Sequence, residues 1–154
     1  MNWKFYKCLV TGGASFIGSH LVESLLEKGA RVRVADNLSS GIISNLASVL
    51  PEIEFLKGDL RHIGFADKAS KGCDLVFHLA ASHGGRGYIT AHPADCAGNM
   101  ALDNIVFDCA VQNNVEKIVF AGSACVYPTD VQEEQQLLRE DMVGFDRRGG
   151  AFAD

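Results

Sequence analysis

Short apolar runs alternate along this chain with stretches in which apolar residues recur at helical spacing. This alternation predicts strands and helices in turn, and strands connected in this way lie parallel in one sheet. The runs are mostly apolar throughout, which is typical of parallel strands covered on both faces. The predicted strands are residues 5–11, 32–36, 53–58, 75–80 and 117–121.

Two helices are predicted between these strands. Apolar residues between Phe16 and Leu26 recur at helical spacing, and Gly29 ends that pattern. A longer helix begins at Pro93 and runs to about Asn113. The order of elements predicts a doubly wound α/β fold, in which a parallel sheet lies between two helical layers.

Size and charge exclude several classes of protein. A chain of 154 residues with 47% hydrophobic content can bury one core, so we expect one domain at 1–128 and an acidic surface segment at 129–154. A net charge of -5 with scattered Lys and Arg gives no surface for nucleic acid. No apolar stretch approaches the roughly 18 residues that span a membrane. Five cysteines without a C-x-x-C pair indicate reduced thiols, and we expect a cytoplasmic protein.

A glycine-rich loop, TGGASFIG at residues 11–18, follows the first predicted strand directly and leads into the first helix. Gly12 permits a tight turn, the small Ser15 lets a pyrophosphate approach the backbone, and Gly18 lets the helix pack closely. The helix N-terminus adds N–H donors and a favourable dipole. The loop therefore predicts a dinucleotide site.

Two acidic residues follow the next two predicted strands. Asp36 ends the second strand, where a carboxylate accepts both ribose hydroxyls of an adenosine and repels a 2′-phosphate, so NAD is favoured over NADP. The alternative is that Asp36 caps the next segment. Asp59, which follows the third strand, is either an adenine contact or a plain turn residue.

Several motifs together resemble a known family. The segments TGGASFIGSHL (11–21), DNLSSG (36–41), GDL (58–60), HLAA (78–81) and SACVYP (123–128) resemble, in order, the extended short-chain dehydrogenase/reductase family of NAD-dependent nucleotide-sugar epimerases and dehydratases. Segments 84–85, 92–95, 99–100 and 122–128 resemble its GDP-sugar branch, represented by GDP-mannose 3,5-epimerase and GDP-fucose synthase. At Ser15 the family usually has glycine; serine fits if its φ is not positive, and we expect loosened pyrophosphate binding.

The resemblance implies a Rossmann fold, an NAD cofactor, a nucleotide-sugar substrate with a GDP-sugar favoured, and a homodimeric parent enzyme. Asn99 would brace the strand beside the nicotinamide, or else simply face solvent. The cofactor residues implied by the motifs and the resemblance are Gly12, Ser15, Phe16, Ile17, Gly18, Asp36, Asn37, Asp59, Leu60, Leu79, Ala80, Ala81 and Asn99.

Catalytic residues are implied at the end of the fifth predicted strand. By the resemblance, Ser123 would bond the sugar oxygen that is oxidised; the alternative is a strand-end cap. Cys125 would act as acid or base at the carbon beside the transient ketone, because a thiol pKa can be brought towards neutrality. The alternative for Cys125 is a buried small hydrophobe.

Three residues near the predicted site have no firm role. His83 and His92 either contact the substrate or are solvated loop residues. Arg86 lies in the glycine-rich stretch 84–87, which is predicted as a flexible loop, although its charge also suits a diphosphate.

The Tyr-x-x-x-Lys pair that this family uses for proton and hydride transfer is missing. Tyr6, Tyr88 and Tyr127 are not followed four positions later by lysine, and no lysine follows Lys117. We therefore expect a chain truncated before the last strands and the substrate lobe. The alternative is a short dinucleotide-binding module or sensor without turnover.

Overall fold

The computed structural model describes residues 2–122, Leu137 and Arg139. The chain divides into two compact units, Met1–Phe120 and Ala121–Asp154. All helices and strands of the described residues belong to the first unit. No helix of this described part is long and apolar enough to cross a membrane.

In the described part of the chain, five parallel strands form the sheet. They are β1 (Lys7–Thr11), β2 (Arg31–Asp36), β3 (Glu54–Lys57), β4 (Leu75–His78) and β5 (Lys117–Phe120). Their order in the sheet is β3-β2-β1-β4-β5, and every pairing is parallel. The chain thus builds outwards from β1 in one direction and then in the other, which confirms the predicted doubly wound fold.

Four α-helices connect the strands: α1 (Phe16–Glu27), α2 (Ile63–Ser70), α3 (Arg86–Ala91) and α4 (Pro93–Gln112). Short 3₁₀ turns lie at Trp3–Phe5, Ile43–Leu46 and Leu50–Glu52. The first and last α-helices match the predicted ones closely. The first predicted strand is shorter than expected, because Trp3–Phe5 forms a turn in which Asn2 accepts a hydrogen bond from the Lys4 amide at 3.4 Å.

Two apolar clusters cover the two faces of the sheet. Alternation along β1 sends Leu9 to one face, where it packs with the buried residues of α2 and α4. Cys8 and Val10 point to the other face and pack with Val22 and Leu25 of α1. Both faces of the central strand are therefore buried, as its continuous apolar character predicts.

Candidate functional site

A cleft of about 310 Å³ opens at the carboxyl edge of the sheet, between the loops that follow β1 and β4. These two strands are neighbours at the point where the strand order reverses, which is where open α/β sheets bind ligands. The cleft is lined by most of the residues predicted to bind the cofactor: Gly12, Ser15, Asp36, Asn37, Asp59, Leu60, Leu79, Ala80, Ala81 and Asn99.

Close packing holds the loop between β1 and α1. Gly12 has a φ of +67°, and a Cβ atom there would lie 3.0 Å from the backbone of Ala80. A Cβ atom at Gly18 would overlap the carbonyl oxygen of Gly12 and lie 2.7 Å from Gly13 Cα. The turn and the start of α1 therefore leave no room for side chains at these two positions.

Ser15 fits the loop without strain. Its φ is -81°, so the positive φ that would disfavour serine does not occur. The hydroxyl donates to the Gly12 carbonyl oxygen at 2.6 Å, and the backbone amide donates to the same oxygen at 3.1 Å. Ser15 is the N-cap residue of α1, but its hydroxyl ties the loop together and makes no capping bond to the helix.

The N-terminus of α1 carries amides without helical partners. No side chain caps this helix, and the first N–H groups of any α-helix lack an intrahelical acceptor. Phe16 and Ile17 lie in this first turn and are 76% and 68% exposed. They do not line the cleft with their side chains, so what they offer a phosphate is the backbone amide.

Asp36 lies buried at the end of β2. Its Oδ2 accepts the Ala14 amide at 3.0 Å, and its Oδ1 accepts the Leu38 amide at 2.8 Å. The next 3₁₀ turn has Ile42 as its N-cap, so Asp36 does not cap a helix. Each carboxylate oxygen has two lone pairs and therefore keeps one for a ligand.

Asp59 forms a two-point ion pair with Arg61, which also lines the cleft. Arg61 Nη2 lies 2.7 Å from Asp59 Oδ2, Arg61 Nε lies 3.1 Å from Oδ1, and the Arg61 amide donates to Oδ1 at 2.9 Å. The guanidinium holds the pKa of Asp59 below its usual value. Arg61 was not among the predicted residues. The signal that could have found it is its position two residues after Asp59, which places a cation beside that carboxylate.

The segment after β4 forms the floor of the cleft. The amides of Leu79 and Ala80 both donate to Thr11 Oγ1 at 3.1 Å, which ends the strand at His78 instead of the predicted residue 80. Asn99 of α4 accepts the Ser82 amide at 2.7 Å and donates to the Ser82 carbonyl oxygen at 2.9 Å. Asn99 therefore braces this segment and does not face open solvent.

The stretch 84–87 is not a loop throughout, because α3 begins at Arg86. Gly84 packs directly against the ring of Tyr88, whose hydroxyl lies 2.9 Å from Ser82 Oγ. His92 stacks on the same ring, with centroids 4.3 Å apart. Sequence reasoning missed Tyr88, since nothing in its spacing links it to residue 82.

His83 is exposed and lines the cleft, with its Nδ1 3.3 Å from the Ala81 carbonyl oxygen. His92 is not among the residues that line the cleft. The predicted catalytic residues Ser123 and Cys125 lie outside the described residues.

Known proteins resemble the chain over most of its length. The putative UDP-glucose 4-epimerase of Methanocaldococcus jannaschii is 34% identical over 116 residues, which are 75% of this chain and 37% of that protein. GDP-mannose 3,5-epimerase 1 of Oryza sativa subsp. japonica is 32% identical over 129 residues, which are 83% of this chain and 33% of that protein.

A solved structure supports the same relationship. The epimerase of Methanothermobacter thermautotrophicus superposes with a TM-score of 0.79 at 30% identity, over 97% of this chain and 44% of that one. The chain thus spans less than half the length of each of these proteins. The model of the NAD dependent epimerase/dehydratase family matches residues 8–144. On the matched residues, the fold and the cleft, the chain belongs to the NAD-dependent epimerase/dehydratase family.

Proposed function

We propose that this chain binds NAD(H) in the cleft and is the cofactor-binding part of a nucleotide-sugar epimerase or dehydratase that transiently oxidises its sugar. The observation that carries the proposal is the pairing of Asp36 with the glycine loop at one edge of the sheet. When bound, NAD(H) accepts a hydride from the sugar or returns it.

The geometry of the loop supports a pyrophosphate at the N-terminus of α1. Gly12 and Gly18 keep side chains out of this corner, and the amides of the first turn have no helical acceptors. An anion there gains hydrogen bonds and the favourable end of the helix dipole. The bond from Ser15 to Gly12 fixes the loop before a ligand arrives.

The position of Asp36 supports a preference for NAD(H). Its two bonds to backbone amides hold the carboxylate in place, and one lone pair on each oxygen remains for ribose hydroxyls. A 2′-phosphate there would meet a buried negative charge. The family is NAD-dependent, in agreement with this preference.

The relatives, which include a UDP-glucose epimerase and a GDP-mannose epimerase, support a nucleotide-sugar substrate. We propose a GDP-sugar, on the resemblance of segments 84–85, 92–95 and 122–128 to that branch. In this proposal Ser123 bonds the sugar oxygen that is oxidised, and Cys125 moves a proton at the carbon beside the ketone.

The cofactor preference is tested by calorimetric titration with NADH and NADPH. We expect NADH to bind more tightly, and Asp36→Ala to weaken NADH by about 1–3 kcal/mol, because hydrogen bonds to a charged group are lost. The matched control is Asp108→Ala, an exposed aspartate on α4 that should leave affinity unchanged. Equal or tighter binding of NADPH would remove the role given to Asp36.

The second candidate is a dinucleotide-binding module without turnover; the 154 residues contain no Tyr-x-x-x-Lys pair. We expect this chain alone to show no epimerisation of UDP-glucose or GDP-mannose by NMR. Loss of the general base alone costs about 10²- to 10⁴-fold in rate. Turnover at the rate of ordinary family members would point to another general base, and His83 would be the first candidate.

A further inference from the structure

Three buried or half-buried polar side chains lie directly beneath the floor of the cleft, and none of them was among the predicted site residues. Thr11 ends β1, His78 ends β4, and Asp103 lies in the middle of α4. Thr11 Oγ1 is 2.7 Å from His78 Nδ1, and His78 Nε2 is 3.0 Å from Asp103 Oδ1. They form one chain of hydrogen bonds across two strands and a helix.

Counting donors and acceptors shows which atoms of Thr11 and His78 carry protons in this series of hydrogen bonds. Thr11 Oγ1 accepts the amides of Leu79 and Ala80, which uses both lone pairs of a hydroxyl oxygen. Its own proton must then be donated to His78 Nδ1, which is therefore unprotonated. The remaining ring proton of His78 lies on Nε2 and is donated to Asp103.

The surroundings of His78 favour the same neutral ring. His78 is 1% exposed, and its ring packs against Phe107 and Phe120 with centroids 5.8 and 5.9 Å away. Burial lowers the pKa of His78, while the bond to Asp103 partly opposes that shift. A second ring proton would face the hydroxyl proton of Thr11, so a charged His78 would lose its hydrogen bond to Thr11.

The arrangement matters for the ligand because the floor lies against the glycine loop. The Ala80 backbone is the group that would contact a Cβ atom at Gly12. A shift of Leu79 and Ala80 therefore changes the width of the cleft where the loop and the floor meet. Since the amides of Leu79 and Ala80 are both bonded to Thr11, they are not free to bind a ligand.

We propose that His78, in its neutral form with the proton on Nε2, is a positioning residue for the dinucleotide, and that it acts through Thr11 on the Leu79–Ala80 floor. This inference rests on the proposed NAD(H) binding. Asp103 selects the ring tautomer by accepting the Nε2 proton.

The tautomer is tested without ligand. Long-range ¹⁵N–¹H spectra of the imidazole in the full chain should show the His78 proton on Nε2 and an unprotonated Nδ1 near neutral pH. A proton on Nδ1, or a doubly protonated ring, overturns the proposal. Asp103→Asn, which also offers an amide N–H to the ring, should move the His78 Nε2 signal, whereas a merely space-filling Asp103 would leave it unchanged.

The effect on the ligand is tested with three substitutions in the same chain. Thr11→Val keeps the shape but removes the acceptor, so NADH affinity should fall about tenfold and hydrogen exchange at Leu79 and Ala80 should accelerate. Thr11→Ser keeps the hydroxyl and should retain the parental affinity. Ser70→Ala, which removes a buried hydroxyl of α2 bonded to the Ala66 carbonyl, should lower stability and leave NADH affinity unchanged.

These outcomes separate the inference from the proposed function. Parental NADH affinity in Thr11→Val overturns the positioning role while NADH binding stands. No NADH binding by the parental chain overturns both. Equal losses of affinity in Thr11→Val and Ser70→Ala show a general loss of stability and overturn the specific role of the floor.

Discussion

The loop between β1 and α1 and the segment after β4 meet at the bottom of the cleft, and they are held by different means. Ser15 and Asp36 bind groups of the loop, but its turn at Gly12 and its close approach at Gly18 depend on the absence of side chains, since an added Cβ atom there meets backbone. The segment after β4 is held by side chains of distant residues, Thr11 and Asn99, that bind its backbone groups. The shape of the loop thus depends on positions without side chains, whereas the segment after β4 depends on side chains that bind its backbone.

This difference decides how the loop and the segment after β4 respond to substitutions. Backbone atoms that meet an added methyl group cannot move away without moving the strand or helix that carries them. A lost side-chain hydrogen bond leaves its partner to be satisfied by water where the cleft admits it. Substitutions in the loop should therefore cost more than substitutions that release the floor.

The largest effect is expected for Gly18→Ala. The new methyl group overlaps the Gly12 carbonyl oxygen, so the free energy of unfolding should fall by about 3 kcal/mol, and NADH binding should be lost with the shape of the loop. Urea unfolding followed by circular dichroism measures the first quantity, and calorimetry the second.

The matched control for Gly18→Ala is Gly64→Ala in α2, where an added Cβ atom meets nothing within 4 Å. This variant should be stabilised by roughly 0.5 kcal/mol through helix propensity. If both alanine variants unfold at the same urea concentration, close packing is not what holds the loop.

A smaller effect is expected for Asn99→Ala, which releases both backbone groups of Ser82. Because half-buried groups are left without protein partners, we expect the free energy of unfolding to fall by about 1–2 kcal/mol. NADH affinity should fall as well, since Ser82 and Asn99 line the cleft. Urea unfolding and calorimetry again provide the two values.

Asn104→Ala is the control on the same helix, because exposed Asn104 makes only a 3.4 Å contact with Asp108. Its free energy of unfolding should equal or slightly exceed that of the parental chain, because alanine favours a helix more than asparagine does. A loss in Asn104→Ala as large as that in Asn99→Ala would mean that α4 itself, and not its bond to the floor, is being disturbed.

The smallest effect is expected for the ion pair of Asp59 and Arg61, which lies neither in the loop after β1 nor in the segment after β4. Because Arg61 holds the pKa of Asp59 below its usual value, the pair stabilises the fold at neutral pH, and this contribution is lost as the pH falls through the lowered pKa. Arg61 is 57% exposed in its side chain, so Arg61→Gln should cost less than about 1 kcal/mol near pH 7.

The measurement for this pair is urea unfolding between pH 7 and pH 3 at low and high salt. The parental and Arg61→Gln curves should differ most at neutral pH and low salt and converge in acid. A difference that grows as the pH falls has the wrong sign for a carboxylate whose pKa is lowered.

The sequence predicted the glycine-rich loop between β1 and α1, but not the hydrogen bonds that hold the segment after β4. The turn at Gly12, the close approach at Gly18 and the carboxylate of Asp36 follow from local patterns, because each acts within a few residues of a predicted strand end. The doubly wound order followed from the alternation of strands and helices. These features needed no knowledge of distant contacts.

The hydrogen bonds of the floor could not be predicted in this way. Thr11 and His78 are 67 positions apart in the sequence, and His78 and Asp103 are 25 positions apart. No periodicity joins such residues, and Thr11 was predicted only as the end of the first strand and the start of the glycine-rich loop. The predicted end of β4 was two residues too late for the same reason, since the amides beyond His78 bind a hydroxyl instead of extending the strand.

The order of the strands also has a consequence for when the site forms during folding. β1 pairs with β2 over a short stretch of chain, with Lys7 opposite Arg31, but it pairs with β4 only after residues near Leu75 have joined the sheet. Contacts between residues so far apart in sequence form slowly, because a long loop must close first. We therefore expect the glycine loop to take shape before the segment after β4 is in place, so that a nascent chain gains its complete cleft only when the crossover to the second half of the sheet is finished.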